Sequence, residues 1–160
     1  MTIYTIGYEG MGVDGFLSLL HENDIETVVD VRKLPLSRKP GFSKKLLADI
    51  LNGSGFAYIH LPDLGCPKPI RDRYRTNGNW EQYKDGFLKY LAAQEAAVAG
   101  LASMAADSNC ALLCFEADYK YCHRTTVADA VNRLNGMRVS HIPVPKAGTA
   151  NSAGLALVFA

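Results

Sequence analysis

The run Cys110-Ala-Leu-Leu-Cys-Phe-Glu-Ala-Asp-Tyr-Lys-Tyr-Cys-His-Arg124 constrains the fold more than any other part of the chain. Ala111 to Phe115 is apolar, too short for a helix and bounded by polar residues, which predicts a buried strand. Val127, Ala130, Val131 and Leu134 then fall at helical spacing. A strand therefore leads through a polar loop into a helix. In an open parallel sheet, ligands bind where strands end and the following helices begin. Here a thiol, an imidazole, a guanidinium and two carboxylates meet at such a place.

The same strand and helix signals recur. Ile3 to Tyr8 predicts a strand, and Val13, Phe16, Leu17 and Leu20 form one helical face. Gly7, Gly10 and Gly12 approach a nucleotide-binding fingerprint but miss its G-x-G-x-x-G spacing, so a tight turn is their expected use. Thr27 to Val31 predicts a second strand. Ser43 then caps a helix with Leu46, Leu47, Ile50 and Leu51 on its buried side. Phe56 to His60 predicts a third strand, followed by an irregular stretch from Leu61 to Asn79 in which Arg71, Arg73 and Arg75 alternate. Asn79 and Gln82 open a long helix from Trp80 to about Ala106, bent or broken near Gly100. Arg138 to Pro143 predicts the last strand. The tail, residues 146–160, is expected as a mobile end or an added edge strand.

This alternation defines an α/β class. The expectation is a single domain over residues 1–160, with a Rossmann-like, mainly parallel sheet of about five strands and helices on both faces. No apolar run spans a membrane, and the N-terminus lacks the pattern of a signal peptide. A cytoplasmic protein with four reduced cysteines and no membrane partner follows as the expectation. Net charge is +1, but the segment from Arg32 to Arg75 carries +7 and the remainder −6. Such concentration points to an anionic partner, a phosphate-containing small molecule or a nucleic acid, unless it is merely a solvated basic face.

If the strands are parallel, Tyr8, Glu9, Asp30, Arg32, His60 and the segment Glu116 to Arg124 share one edge, and the Ser37-Arg38 loop can fold over it. Cys122 sits at a helix N-terminus beside His123 and Arg124, which favours a thiolate nucleophile; the alternative is a small residue filling a turn. Cys110 and Cys114, on the strand, are expected in the core. Arg32, Arg38 and Arg124 can together grip an anion, or else pair with Glu9, Asp30, Glu116 or Asp118. His60, Cys66, Cys114, Cys122 and His123 are the possible metal ligands. They form no C-x-x-C pair, and neighbours such as Cys122 and His123 rarely ligate one ion. No metal site and no cofactor are expected.

Several motifs carry a resemblance. Thr5-Ile-Gly-Tyr-Glu9, Val29-Asp-Val-Arg32 with Pro35, Ser37-Arg38, Pro40-Gly-Phe-Ser-Lys44, Tyr58 with His60-Leu-Pro, Leu64-Gly65, and Cys114-Phe-Glu-Ala-Asp118 with Cys122-His-Arg124 resemble the family called domain of unknown function 488. The likeness extends to about His141. It implies a compact α/β domain and fixes no reaction. Tyr119 stands where the family tends to carry proline.

Three functions compete. The first is an enzyme acting on a nucleotide, nucleic acid or other phosphorylated substrate. Arg32, Arg38 and Arg124 would hold the anion with Tyr8, Ser37, Asp118 and His60. Cys122, Glu9 or Glu116 would be nucleophile or base, and His123 acid/base. The second is a non-catalytic nucleic-acid-binding module using the basic 32–75 segment. The third is a thiol redox protein with Cys66 resolving Cys122. The mixture of chemical groups on one edge favours the first.

Overall fold

Residues Cys110–Cys114 are buried at every position, and their place in the sheet is the reason. The computed structural model describes residues 1–145, and in it this strand is the middle one of five. In chain order the strands are β1 (Thr2–Gly7), β2 (Thr27–Asp30), β3 (Ala57–His60), β4 (Cys110–Cys114) and β5 (Arg138–His141). Their spatial order is β3-β2-β4-β1-β5, and every pairing is parallel. The helices are α1 (Val13–Glu22), α2 (Lys44–Gly53), α3 (Lys68–Asn77), α4 (Trp80–Ala92), α5 (Glu95–Asp107) and α6 (His123–Asn135). The architecture is the Rossmann-like α/β domain expected from the pattern of elements.

Alternate side chains of each strand point to opposite faces. Ile3, Val29, Val31, Cys110 and Leu112 join one core with α4, α5 and α6. Ile6, Val28, Ala111 and Leu113 join the other with α1 and α2. Burial on both sides explains why the central strands read as continuous apolar runs rather than alternating ones.

The register brings Gly7 opposite Cys114 and Asp30 opposite Leu113. The carboxyl ends of β1, β2 and β4 are therefore level. Beyond the strands, Tyr8 N–H donates to the Cys114 carbonyl and Glu9 N–H to that of Phe115, at 3.2 and 2.8 Å. The loops after β1 and β4 thus leave the sheet side by side.

Four expectations need correction. The stretch from Leu61 to Asn79 is not irregular: it holds a 3-10 turn at Pro62–Leu64 and then α3. Pro67 and Pro69 mark the start of that helix rather than its absence, because first-turn residues need no intrahelical N–H partner. The long helix is two helices, α4 and α5, parted at Ala93 and Gln94; Gly100 lies inside α5. The break lacks a Gly or Pro signal and is set by how each helix packs. Leu46 and Leu134 fit the helical stripes but are 52% and 58% exposed, since the outer edge of each stripe overhangs the sheet. Ser43 occupies the N-cap position of α2 without capping it; its hydroxyl donates to the Ser37 carbonyl and accepts from Ser37 N–H. Asn79 does cap α4, accepting from Gln82 N–H at 3.0 Å. The tail, residues 146–160, lies outside the described residues.

Candidate active site

Two polar clusters lie side by side at the carboxyl edge. The first forms around Asp30, which is fully buried at the end of β2. Its two oxygens accept from Arg32 Nε and Nη2 at 2.9 and 2.7 Å, a bidentate pair. Tyr58 hydroxyl donates to the same carboxylate at 2.5 Å. Arg32 Nη1 donates to the Tyr8 hydroxyl and the Phe42 carbonyl at 3.1 and 2.7 Å. Tyr8 stacks on Phe42, with ring centroids 4.4 Å apart. The Asp-x-Arg motif thus folds back on itself and pins the long loop after β2. Burial opposes the Arg32 charge, but Asp30 and Tyr8 more than offset it and hold the group charged.

The second cluster joins the end of β4 to the start of α6. Glu116 Oε2 accepts from Cys114 Sγ and Cys122 Sγ, each at 3.3 Å. His123 Nδ1 is 3.8 Å from Cys114 Sγ, and its Nε2 is 2.7 Å from the Val31 carbonyl. Burial works against a charge on Cys122. Hydrogen bonds with Cys114 and His123, and the charges of His123 and Arg124, nevertheless hold it well below the usual thiol range. Cys114, hydrogen-bonded to Cys122 and buried, is held above that range. Glu116 is raised by burial and by the charge on Cys122. Burial lowers His123, but its hydrogen bond to Cys122 and the charge there raise it. The N-terminus of α6, whose N-cap position Cys122 occupies, adds its dipole in the same sense.

Above both clusters opens a cavity of about 520 Å³, within the ordinary size for a small-ligand site. Its floor includes Cys114, Glu116 and His123. Lys33, Arg38, Arg71 and Arg75 line it, with Ser37 in the loop after β2. Tyr74, Trp80, Tyr83 and Tyr121 form an aromatic wall, in which Trp80 stacks on Tyr83 at 4.7 Å between centroids.

The fold gathers only part of the expected set. Tyr8, Arg32, Ser37, Arg38, Glu116 and His123 line the cavity. Cys122 is 2% exposed and sits behind the floor. Arg124 does not line the cavity: Nη1 donates to the Glu116 carbonyl and Nη2 to that of Ala117, so it braces the loop, while its buried Nε has no partner among the described residues. Glu9 accepts from Ala117 N–H at 3.0 Å and braces the same loop from outside. Asp118 accepts from Lys120 N–H and caps a 3-10 turn. His60 contacts the Arg32 carbonyl and Lys44 Nζ, away from the cavity. The residues that hold the loops are as polar as those that line the site, so residue type alone does not separate them.

Sequence reasoning missed Cys114, Arg71, Arg75 and the aromatic wall as site residues. Cys114 looked like core because it ends a strand; being the last residue, it reaches past the sheet. Arg71 and Arg75 share one face of α3 at i, i+4 spacing, a signal hidden once that helix was read as irregular. Cys66, which also lines the cavity, and Cys110, inside β4, are each pushed by burial to about 11. Both should resist alkylation at pH 7.5, reacting far more slowly than a free thiol. Mass spectrometry that found either modified at the rate of a small-molecule thiol would contradict the packing described.

The fold and the convergence of its loops define the class, a doubly wound α/β domain with its chemical groups at the carboxyl edge of the strands. More particularly, the chain belongs to the family described as Domain of unknown function DUF488, which matches residues 12–131. That span includes Asp30, Arg32, Cys114, Glu116, Cys122 and His123, residues that carry the resemblance noted in the sequence. No curated protein and no solved structure matches the chain. No helix among the described residues is long and apolar enough to cross a membrane.

Proposed function

We propose that the protein is an enzyme acting on a nucleotide, nucleic acid or other phosphorylated substrate held in this cavity. One observation carries the proposal: four cationic side chains converge on a floor of thiol, imidazole and carboxylate. Among the described residues only Arg75 of the four pairs with an acid, Asp72, at 4.0 Å. Arg71 Nε is buried with no hydrogen-bond partner, a donor suited to an anion's oxygen. Cations without matching acids favour a ligand that brings its own negative charge. The aromatic wall fits a base, which stacks on such rings regardless of its identity.

In this reading Arg38, Arg71, Arg75 and Lys33 grip phosphate, while Arg32, neutralised by Asp30, shapes the cavity. Cys114, rather than Cys122, is the thiol presented to substrate. Glu116, which accepts from the Cys114 thiol, supplies the base; Cys114 becomes a nucleophile only as its proton passes to Glu116, and His123 is the acid/base partner.

Arg38→Ala and Arg71→Ala should each weaken binding of pyrophosphate or a nucleoside diphosphate by about 10–100-fold, the worth of one charge-assisted hydrogen bond of about 1.5–3 kcal/mol. Titration calorimetry with the two variants checks this, and unchanged affinity in both would remove the anion site. The non-catalytic nucleic-acid module remains the second reading because basic residues such as Lys68 and Arg73 stand exposed outside the cavity. It requires affinity that falls steeply with salt and is indifferent to Cys114→Ser and Glu116→Gln.

A further inference from the structure

The floor has a property that the binding of phosphate does not use. Cys114 Sγ, Cys122 Sγ and a ring nitrogen of His123 all lie within 4.8 Å of one another. Cys114 Sγ is 3.8 Å from His123 Nδ1, and Glu116 Oε2 is 3.3 Å from both sulfurs. In a tetrahedral site with metal–sulfur bonds of about 2.3 Å and metal–nitrogen or metal–oxygen bonds of about 2.0–2.2 Å, neighbouring ligand atoms stand about 3.5–3.8 Å apart. The spacings already approach that arrangement. Cys114, Cys122 and His123 are among the possible ligands in the sequence, but their spacing and the adjacency of Cys122 and His123 argue against a shared ion. The turn from β4 into α6 meets that objection by bringing both sulfurs to one Glu116 oxygen and a His123 ring nitrogen within 4.8 Å of both.

The histidine supplies an independent observation. Its Nε2 is 2.7 Å from the Val31 carbonyl, which can only accept, so Nε2 carries a proton. In the neutral ring Nδ1 is then a lone pair, and it faces sulfur. Metal-binding histidines are oriented by this kind of contact. The ring is further fixed by Phe87, packed edge-on at 5.2 Å, and His123 is 5% exposed.

We propose that Cys114, Cys122 and His123 bind one thiophilic divalent ion of the zinc class, with the fourth position beside Glu116 and open to the cavity. Two sulfurs and one imidazole select zinc over magnesium or calcium, which require oxygen ligands. Three protein ligands with an open fourth position are the pattern of catalytic rather than structural zinc sites. Binding leaves both sulfurs as thiolates and releases to solvent whatever protons they held; no electron is transferred. A water at the fourth position then becomes the nucleophile, with Glu116 as its base. With the ion bound, Cys114 and His123 serve as ligands and the roles given to them above pass to the water and Glu116; the grip of the cavity's cations on an anion is a separate matter and stands or falls by itself.

The test is a titration of the full chain, reduced and stripped of metal, first with Co²⁺ alone and then with Zn²⁺. The expected result is one equivalent of Co²⁺ bound, with a sulfur-to-cobalt charge-transfer band and the intense visible bands of a tetrahedral site. Zn²⁺ should bleach them, since zinc binds such sites more tightly than cobalt. Cys110→Ser should leave the spectrum intact. Cys122→Ser should reduce the charge-transfer band and weaken Co²⁺ binding by more than the roughly 10–100-fold that loss of a supporting residue already causes. Should Cys122→Ser fail to fold, the wild-type titration decides alone. A wild-type chain without the thiolate band at one equivalent, or a folded Cys122→Ser protein with an unchanged spectrum, overturns the proposal. Pyrophosphate binding measured on the metal-free protein tests the cavity separately.

Discussion

Asp30→Ala should destabilise the protein by about 3–5 kcal/mol, the cost of leaving a buried charge without its partner. Asp30 is fully buried and Arg32, though it lines the cavity, is only 6% exposed, so water replaces the lost carboxylate poorly. The carboxylate accepts from Arg32 Nε and Nη2, from the Arg32 backbone N–H at 3.1 Å and from Tyr58 hydroxyl. Without it Arg32 keeps only the Tyr8 hydroxyl and the Phe42 carbonyl, both neutral. Urea unfolding of the variant and the parent checks the figure; a loss below about 1 kcal/mol would place the pair among solvated surface bridges. The double variant Asp30→Leu with Arg32→Met should recover most of the loss, because removing both charges together also removes the desolvation cost. Recovery would separate the energetic role of the pair from any role in ligand binding.

Gly7→Ala should be the most damaging small change near the site. A Cβ at Gly7 would stand 1.8 Å from the Glu116 carbonyl oxygen and 2.5 Å from its carbon. Both are backbone atoms, and Arg124 donates to that same oxygen, so the obstacle cannot swing aside. The expected cost is about 3 kcal/mol, at the upper end for inserting one carbon into packed structure. The chain must respond by moving the loop after β4, which carries Glu116. The variant should therefore also lose Co²⁺ binding at the floor, a readout that destabilisation elsewhere would not change. Gly100→Ala is the contrast. Gly100 is inside α5 with nothing within 4 Å of the added carbon, and alanine there should stabilise by up to about 1 kcal/mol. Equal unfolding midpoints for the two variants would refute the close approach of β1 to the Glu116 loop.

Much of this protein was legible before any coordinates. The apolar run Ala111 to Leu113, and Val28, Val29 and Val31 around a single Asp30, announce strands buried on both faces, and buried strands alternating with helices imply a parallel sheet. A parallel sheet in turn collects its carboxyl ends on one edge. That is why Tyr8, Arg32, Glu116 and His123 could be named together although up to 115 positions separate them in sequence. These inferences succeed because hydrophobic periodicity is local, and the geometry of parallel strands converts local periods into a global edge.

What the sequence alone left open is the direction and partner of each polar side chain. Arg32 and Arg124 have the same chemistry and flank the same edge, yet one closes on Asp30 and the other on two carbonyls. Arg71 and Arg75, on a helix hidden behind two prolines, line the cavity that Arg124 does not reach. Cys114 and Cys122 are eight positions apart in a pattern that matches no metal motif, and only the β4-to-α6 turn sets their sulfurs on one carboxylate oxygen. Backbone periodicity determined the sheet, the helices and the edge. Tertiary packing decided which charges neutralise one another and which line the cavity without an acid, because that depends on distances of a few ångströms between residues the chain itself keeps far apart.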